Sequence, residues 1–232
     1  MDRWASVHAA ARRVTPPAGR YVVVAPHPDD EVLTVGGLIL QLVAVGAEVT
    51  VIGVTDGGSA YPDRYEHDEL ATRRRAEQQR ALATLGVPPG WTVSMGLRDG
   101  RVADDEAAVL DRLLSACDAS TTLIAPWTRD HHADHEAVGR AAAEAARRTG
   151  CTLWSSIFWA WHHATPQSFD GLDLIRVELD EQTLSRKAAA LQCHGSQIRP
   201  EDGDAMLNAL LLEPAGWTSE YFIVNPLGRA TT

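Results

Sequence analysis

What this 232-residue sequence has little of narrows its class first. It has three cysteines, Cys117, Cys151 and Cys193, widely spaced and in no CxxC or Cys/His finger pattern. A disulfide scaffold and a structural zinc finger are therefore not indicated, and the three read as packing residues. Positive charge is short: 21 Lys and Arg against 31 Asp and Glu leave a formal net charge of -10, which opposes a grip on nucleic acid or an anionic membrane. No segment reaches the roughly 18 unbroken apolar residues of a membrane helix, and the first twenty residues hold no apolar run typical of a secretion signal. A cytoplasmic protein is expected. Repeats, low-complexity tracts and interdomain linkers are also missing. With 45% hydrophobic and 22% charged residues, the chain is expected to fold as a single domain over residues 1–232. Nothing in it decides the oligomeric state, and a homo-oligomer stays open.

What is present is an alternation of short β-rich and longer helical segments. Arg20 to Ala25 reads as a buried strand, followed by a helix over Glu31 to Val45 with apolar residues at helical spacing and Gly46 as its stop. Further strands are predicted at Glu48–Thr55, Trp91–Leu97, Thr121–Trp127, Thr152–Trp161 and Leu172–Leu179. Helices are predicted at Glu66–Leu85, Asp104–Cys117, Asp134–Arg148 and Glu181–Gln192, with an irregular tail beyond. This rhythm implies a three-layer α/β sandwich, Rossmann-like, with a mainly parallel sheet of order about 3-2-1-4-5.

In that order the first and fourth strands are neighbours, and ligands bind where the winding reverses. Two polar turns then lie side by side. One is "PHPDDE", with His27, Asp29, Asp30 and Glu31; the other is "TRDHHADHE", with Asp130, His131, His132, Asp134 and His135. Imidazole with carboxylate suits zinc, whose catalytic sites take three protein ligands and leave a position open. His27 and Asp30, three apart across a turn, can converge on one ion, and His135 on the facing helix can supply the third bond. Asp29 and His132 are then left for acid/base work. Asp130 or Asp134 can orient a histidine through its second ring nitrogen, although helix capping is the simpler role for Asp134. Taken singly, each turn also reads as a solvated or capped helix start; their pairing favours the metal.

These residues resemble a known family. Ala25-Pro26-His27-Pro28-Asp29-Asp30-Glu31 is similar to the (A/P)HPDDE signature of PIG-L/LmbE-like zinc deacetylases, and His132-Ala133-Asp134-His135 to their HPDH signature. Weaker echoes are Thr55-Asp56-Gly57-Gly58, Arg74-Arg75-Ala76-Glu77, Asp99-Gly100 and His194-Gly195-Ser196-Gln197. The resemblance implies an LmbE-like fold and an N-acetylglucosaminyl deacetylase. It implies one Zn2+ on His27, Asp30 and His135, Asp29 as general base, and His132 as oxyanion stabiliser or general acid. Arg74 and Asp99 are implied to contact the sugar, although Arg73 or Arg75 can equally be the arginine that points inward and Asp99-Gly100 also reads as a turn. Ala133 replaces the proline of HPDH, and Asp130 stands where some mycothiol-pathway members have a tyrosine.

The expected activity is therefore zinc-dependent hydrolysis of an N-acetyl amide on an amino sugar carried by a small molecule or glycoconjugate. An amidase for a thiol conjugate or other non-sugar amide is the alternative within enzymes. A non-catalytic ligand-binding module is the alternative outside them, disfavoured because no GxGxxG or GxxxxGK[ST] motif follows the first strand. His162 and His163 read as strand-end residues, His194 as a structural group or a neighbour of the metal pocket, and Trp154, Trp159 and Trp161 mainly as core. The loop "TDGGSAYPDRYEHDE" and the tail from His194 onward are expected to shape the cleft.

Overall fold

Tyr21 and Val23 pack into one apolar cluster while Val22 and Val24 pack into another, the mark of a strand covered on both faces. That strand is β2 (Arg20–Ala25) of an eight-stranded sheet that also contains β1 (Arg12–Arg13), β3 (Glu48–Thr55), β4 (Thr92–Leu97), β5 (Thr121–Pro126), β6 (Thr152–Ser156), β7 (Asp173–Glu178) and β8 (Ser219–Val224). The computed structural model describes residues 3–61, 63, 65–200 and 203–224. Pro62, Arg64, Glu201 and Asp202, within the two segments expected to shape the cleft, lie outside the described residues.

The sheet order is β1-β7-β8-β6-β5-β2-β3-β4. Its five strands β4-β3-β2-β5-β6 are all parallel and reproduce the expected 3-2-1-4-5 winding. Beyond them the sheet departs from expectation. The tail is not irregular throughout: β8 inserts between β6 and β7 and runs antiparallel to both. β6 stops at Ser156 rather than Trp161, because Phe158, Trp159 and Ala160 give their N–H groups to the carboxylate of Asp130 and start a helix there. His162 and His163 consequently lie in a helix, not at a strand end.

The helices are α1 (Ala5–Ala10), α2 (Asp30–Ala44), α3 (His67–Leu85), α4 (Glu106–Ala116), α5 (Ala133–Thr149), α6 (Trp159–His163) and α7 (Glu181–Leu191), followed by two single-turn pieces. One sheet face is covered by α2, α3 and α7, and the other by α4 and α5. A third cluster gathers Trp4 and Val7 of the N-terminal segment with Trp127, Trp161 and Phe169. The apolar stripe Val32, Val35, Leu38, Ile39 and Leu42 of α2 is fully covered, so burial of that face, not intrinsic propensity, holds the helix behind β2. Gly139 lets α5 pass close to the end of β5, since a Cβ there would stand 2.6 Å from the carbonyl oxygen of Pro126. This approach brings the first turn of α5 over the carboxyl end of β2.

Candidate active site

The charge that follows the three valines is not helix capping. Asp29 and His132 hold the positions preceding α2 and α5, and neither side chain caps its helix. Asp30 Oδ2 accepts the backbone N–H of His27 at 2.9 Å and closes the turn. The same oxygen stands 3.3 Å from His27 Nδ1 and 3.3 Å from His135 Nε2. Donors bound at roughly 2.0–2.1 Å to one tetrahedral ion are about 3.4 Å apart, so these spacings fit a shared ion. His135 Nε2 is buried and has no hydrogen-bond partner among the described residues. His27, Asp30 and His135 thus form a group able to hold a metal.

Each histidine is held from its other nitrogen. His27 Nε2 lies 3.1 Å from Asp134 Oδ2 and 3.2 Å from Asp99 Oδ1; His135 Nδ1 lies 2.9 Å from Asp130 Oδ2. Carboxylates in this position orient an imidazole and raise its basicity toward an ion. Asp134, expected as a helix cap, serves this role instead, and it is itself held by the N–H groups of Gly100 and Val102 at 2.8 and 3.1 Å.

Asp29 is buried, with a backbone φ of 149° that non-glycine residues avoid. Arg74 holds it there. Arg74 Nη2 donates to Asp29 Oδ2 and to the carbonyl of Pro28, both at 3.0 Å, and Nη1 donates to the carbonyl of Gly57 at 2.9 Å. Gly57 has φ +67° and lies against the guanidinium, where a Cβ would collide with it. Of the three consecutive arginines it is Arg74 that turns inward, in line with Leu70, Gln78 and Ala81 on the buried face of α3. Asp99 approaches from the loop after β4 and accepts the N–H of Ser59 at 2.8 Å.

The electrostatics follow from burial and from this pairing. Burial pushes the Asp29 carboxyl up to about 7, with Arg74 opposing, and pushes Glu31 up to about 8. Burial also disfavours charge on His135, but Asp30 and the hydrogen bond to Asp130 outweigh it and raise the ring to about 9. For Asp99 burial is likewise outweighed, by the hydrogen bond and charge of His27, and its carboxyl falls to about 2. His132 is lowered to about 4, first by burial and then by the charges of His135 and His27, so it stands as a neutral imidazole.

A cavity of about 290 Å³ opens over these groups. His27, Asp29, Asp30, Arg74, Asp99 and His132 line it, so six of the seven expected site residues face it and His135 sits just beneath. Its other wall is apolar: Leu33, Phe158, Trp159, Met206 and Leu207. Trp159, expected mainly as core, packs against the core from its edge and also stacks on His132 with ring centroids 5.7 Å apart and 20° between planes. No local sequence pattern marks the turn Phe158-Trp159, which depends on Asp130, distant in sequence. Gln197 lines the cavity as well, and its only sequence signal is the echo around His194. His194 does not reach the ligand group; its ring is fully buried, 3.9 Å from Glu31 Oε1.

The fold and this centre define a layered α/β protein with a His/Asp metal-type site at the reversal of its sheet. More particularly, the chain belongs to the PIG-L family, described as GlcNAc-PI de-N-acetylase, whose sequence profile matches residues 22–146. A 1D-myo-inositol 2-acetamido-2-deoxy-alpha-D-glucopyranoside deacetylase of Tsukamurella paurometabola is 42% identical over 79 residues, 31% of this chain and 27% of that protein. A probable N-acetyl-alpha-D-glucosaminyl L-malate deacetylase 2 of Bacillus anthracis is 29% identical over 189 residues, covering 76% of this chain and 80% of that one. The solved N,N'-diacetylchitobiose deacetylase of Pyrococcus horikoshii shares the fold, with a TM-score of 0.69, 21% identity, and coverage of 90% of this chain and 84% of its own.

Proposed function

We propose that the protein is a zinc-dependent hydrolase that removes the N-acetyl group from an N-acetylglucosaminyl unit of a small molecule. The convergence of His27 Nδ1, Asp30 Oδ2 and His135 Nε2 beneath a cavity that also contains Asp29 carries this reading. Two imidazole nitrogens and one carboxylate oxygen are a donor set suited to zinc. The relatives named above, which act on N-acetylglucosaminyl compounds of inositol and malate, support the substrate class. No helix among the described residues is long and apolar enough to cross a membrane, and a cytosolic site of action suits a small soluble substrate.

An amide resists water because its carbonyl is a poor electrophile and its amine a poor leaving group. Zinc, when bound, supplies polarisation of the carbonyl and acidification of water. Asp29, fixed by Arg74 through Oδ2, takes the attacking water's proton on its other oxygen and returns it to the departing amine. His132 donates an N–H to the oxyanion that develops as water adds, and Trp159 holds its ring in place. Asp99 and Arg74 supply hydrogen-bonding groups for the sugar hydroxyls, while Met206, Leu207 and Trp159 cover the sugar's apolar face.

The test is acetate release from a panel of N-acetylglucosaminides by wild type and Asp29→Asn. The expected result is acetate with a free amino sugar, and a loss of about 10²- to 10⁴-fold in turnover with zinc content unchanged in the variant. Unchanged turnover would remove Asp29 as base; a larger acid fragment in place of acetate would show a non-acetyl amide as the true substrate.

A further inference from the structure

A second cavity, of about 620 Å³, adjoins the catalytic one. Trp4, Trp161, Trp217, His162, Leu210 and Leu211 line it, and none of them takes part in the chemistry above. The two cavities share walls. Leu207 lines the catalytic cavity and its chain neighbour Asn208 lines the second; the Cα of Leu210, three residues on, lies within about 11 Å of that of Leu207 by chain length alone. On the other side, the His162 ring stands edge-on to Phe158, which lines the catalytic cavity, with centroids 5.6 Å apart. Three large apolar side chains are exposed among the described residues, and two of them, Met206 and Leu210, mark this shared rim. Apolar exposure gathered at the mouth of a site marks a contact for a ligand or a partner. Trp161 holds Trp4 and Trp217 edge-on at 5.0 and 5.3 Å, so the aromatic wall is fixed before anything binds. His162 Nε2 is buried in this wall and has no hydrogen-bond partner among the described residues.

We propose that this second cavity is the subsite for the group attached to the amino sugar, and that this group is a flat aromatic aglycone. The proposal rests on the hydrolase reading above and names its substrate class more closely. A catalytic cavity of about 290 Å³ lies at the low end of ligand pockets and has room for about one sugar unit, so whatever the sugar carries leaves across the rim. That rim is apolar. A polyol or a small acid crossing Met206, Leu207 and Leu210 would give up water without gaining hydrogen bonds, whereas an aromatic ring gains with the apolar area it covers and with edge and face contacts to the tryptophans. Charge gives no grip on an acidic aglycone either, since the charged side chains at the cavity, Arg3 and Glu213, are of opposite sign. His162 Nε2 supplies a hydrogen bond for one hydroxyl on the ring. Contacts this far from the amide bind substrate and transition state alike, so they lower KM and leave kcat as it is.

The experiment compares acetate release from methyl and 2-naphthyl N-acetylglucosaminides, each as both anomers, by the zinc-loaded wild type and Leu210→Asp. Leu210 is 74% exposed, so a charge there leaves the fold intact. In the wild type the naphthyl glycoside is expected to have a kcat/KM about tenfold or more above the methyl one, through KM, the scale of covering one aromatic ring. In Leu210→Asp that ratio is expected to fall toward one. Titration calorimetry of the same two glycosides on zinc-loaded Asp29→Asn, with and without Leu210→Asp, reads the preference without turnover. A wild-type ratio near one for both anomers, or a ratio unmoved by Leu210→Asp, overturns the subsite. A wild-type dimer that Leu210→Asp turns into a monomer, with the ratio unchanged, would assign the patch to a second copy of the chain and overturns it as well. No acetate from any of these glycosides, with the naphthyl preference in binding kept, would contradict the hydrolase reading alone.

Discussion

Asp130 and His135 are joined by a 2.9 Å contact between Oδ2 and Nδ1, and the same carboxylate receives the N–H groups of Phe158, Trp159 and Ala160. One buried acid therefore orients a histidine of the group able to hold a metal and starts the helix that bears Trp159. Asp130→Asn keeps the size of the side chain but loses the charge that makes His135 a strong donor. Zinc affinity is expected to fall about 10- to 100-fold, the usual scale for such outer partners, as read by competition with a chromogenic chelator. Unaltered affinity would show that His135 needs no such support.

Arg74 is the counter-charge of buried Asp29 and the donor to two backbone carbonyls. Removing one partner of a buried ion pair costs about 3–5 kcal/mol, and Arg74→Met leaves Asp29 and two carbonyls without their donor. Urea unfolding of the zinc-free variant should show a loss of about that size. A drop below about 1 kcal/mol together with a raised KM would assign Arg74 to the substrate alone.

His194 gives the fold an acid-sensitive point. Its ring is fully buried, and neither nitrogen has a hydrogen-bond partner among the described residues. Burial, aided by the charge of Arg74, lowers its pKa from 6.5 to about 3. Between those two values the unfolded chain binds a proton that the native chain refuses, so stability is lost as pH falls below 6.5 and the loss is complete near 3. At pH 5 this amounts to about 2 kcal/mol. Urea titrations of wild type and His194→Asn at pH 7.5 and pH 5 should differ in pH dependence by that amount, wild type being the more acid-sensitive; parallel pH dependence would contradict a neutral buried ring.

The elements legible in the sequence were those whose cause is local. Tyr21 to Ala25 alternates between two cores and ends at Pro26, and the helix after it carries its apolar stripe at regular spacing, so both could be placed within a residue or two. The two polar turns were legible for the same reason, and the expected strand order put them together. Features set by distant partners were not. The helix at Trp159 depends on Asp130, and Asp134 is claimed by Gly100 and Val102 rather than by its own helix. β8 was hidden because Glu220 is buried by an ion pair to Lys187 at 2.8 Å and by the N–H groups of Gly37 and Leu38, which no local pattern of "SEYFIV" discloses. The inward arginine was an intermediate case. Its i−4 and i+4 neighbours, Leu70 and Gln78, marked the buried face of α3, but three arginines in a row blurred the reading.

The most direct measurement strips the protein with a chelator and follows acetate release from an N-acetylglucosaminide as zinc is returned. No acetate from the stripped chain, and full recovery at one ion per chain, is the predicted outcome. Undiminished release from a chain shown to be free of metal would contradict the account.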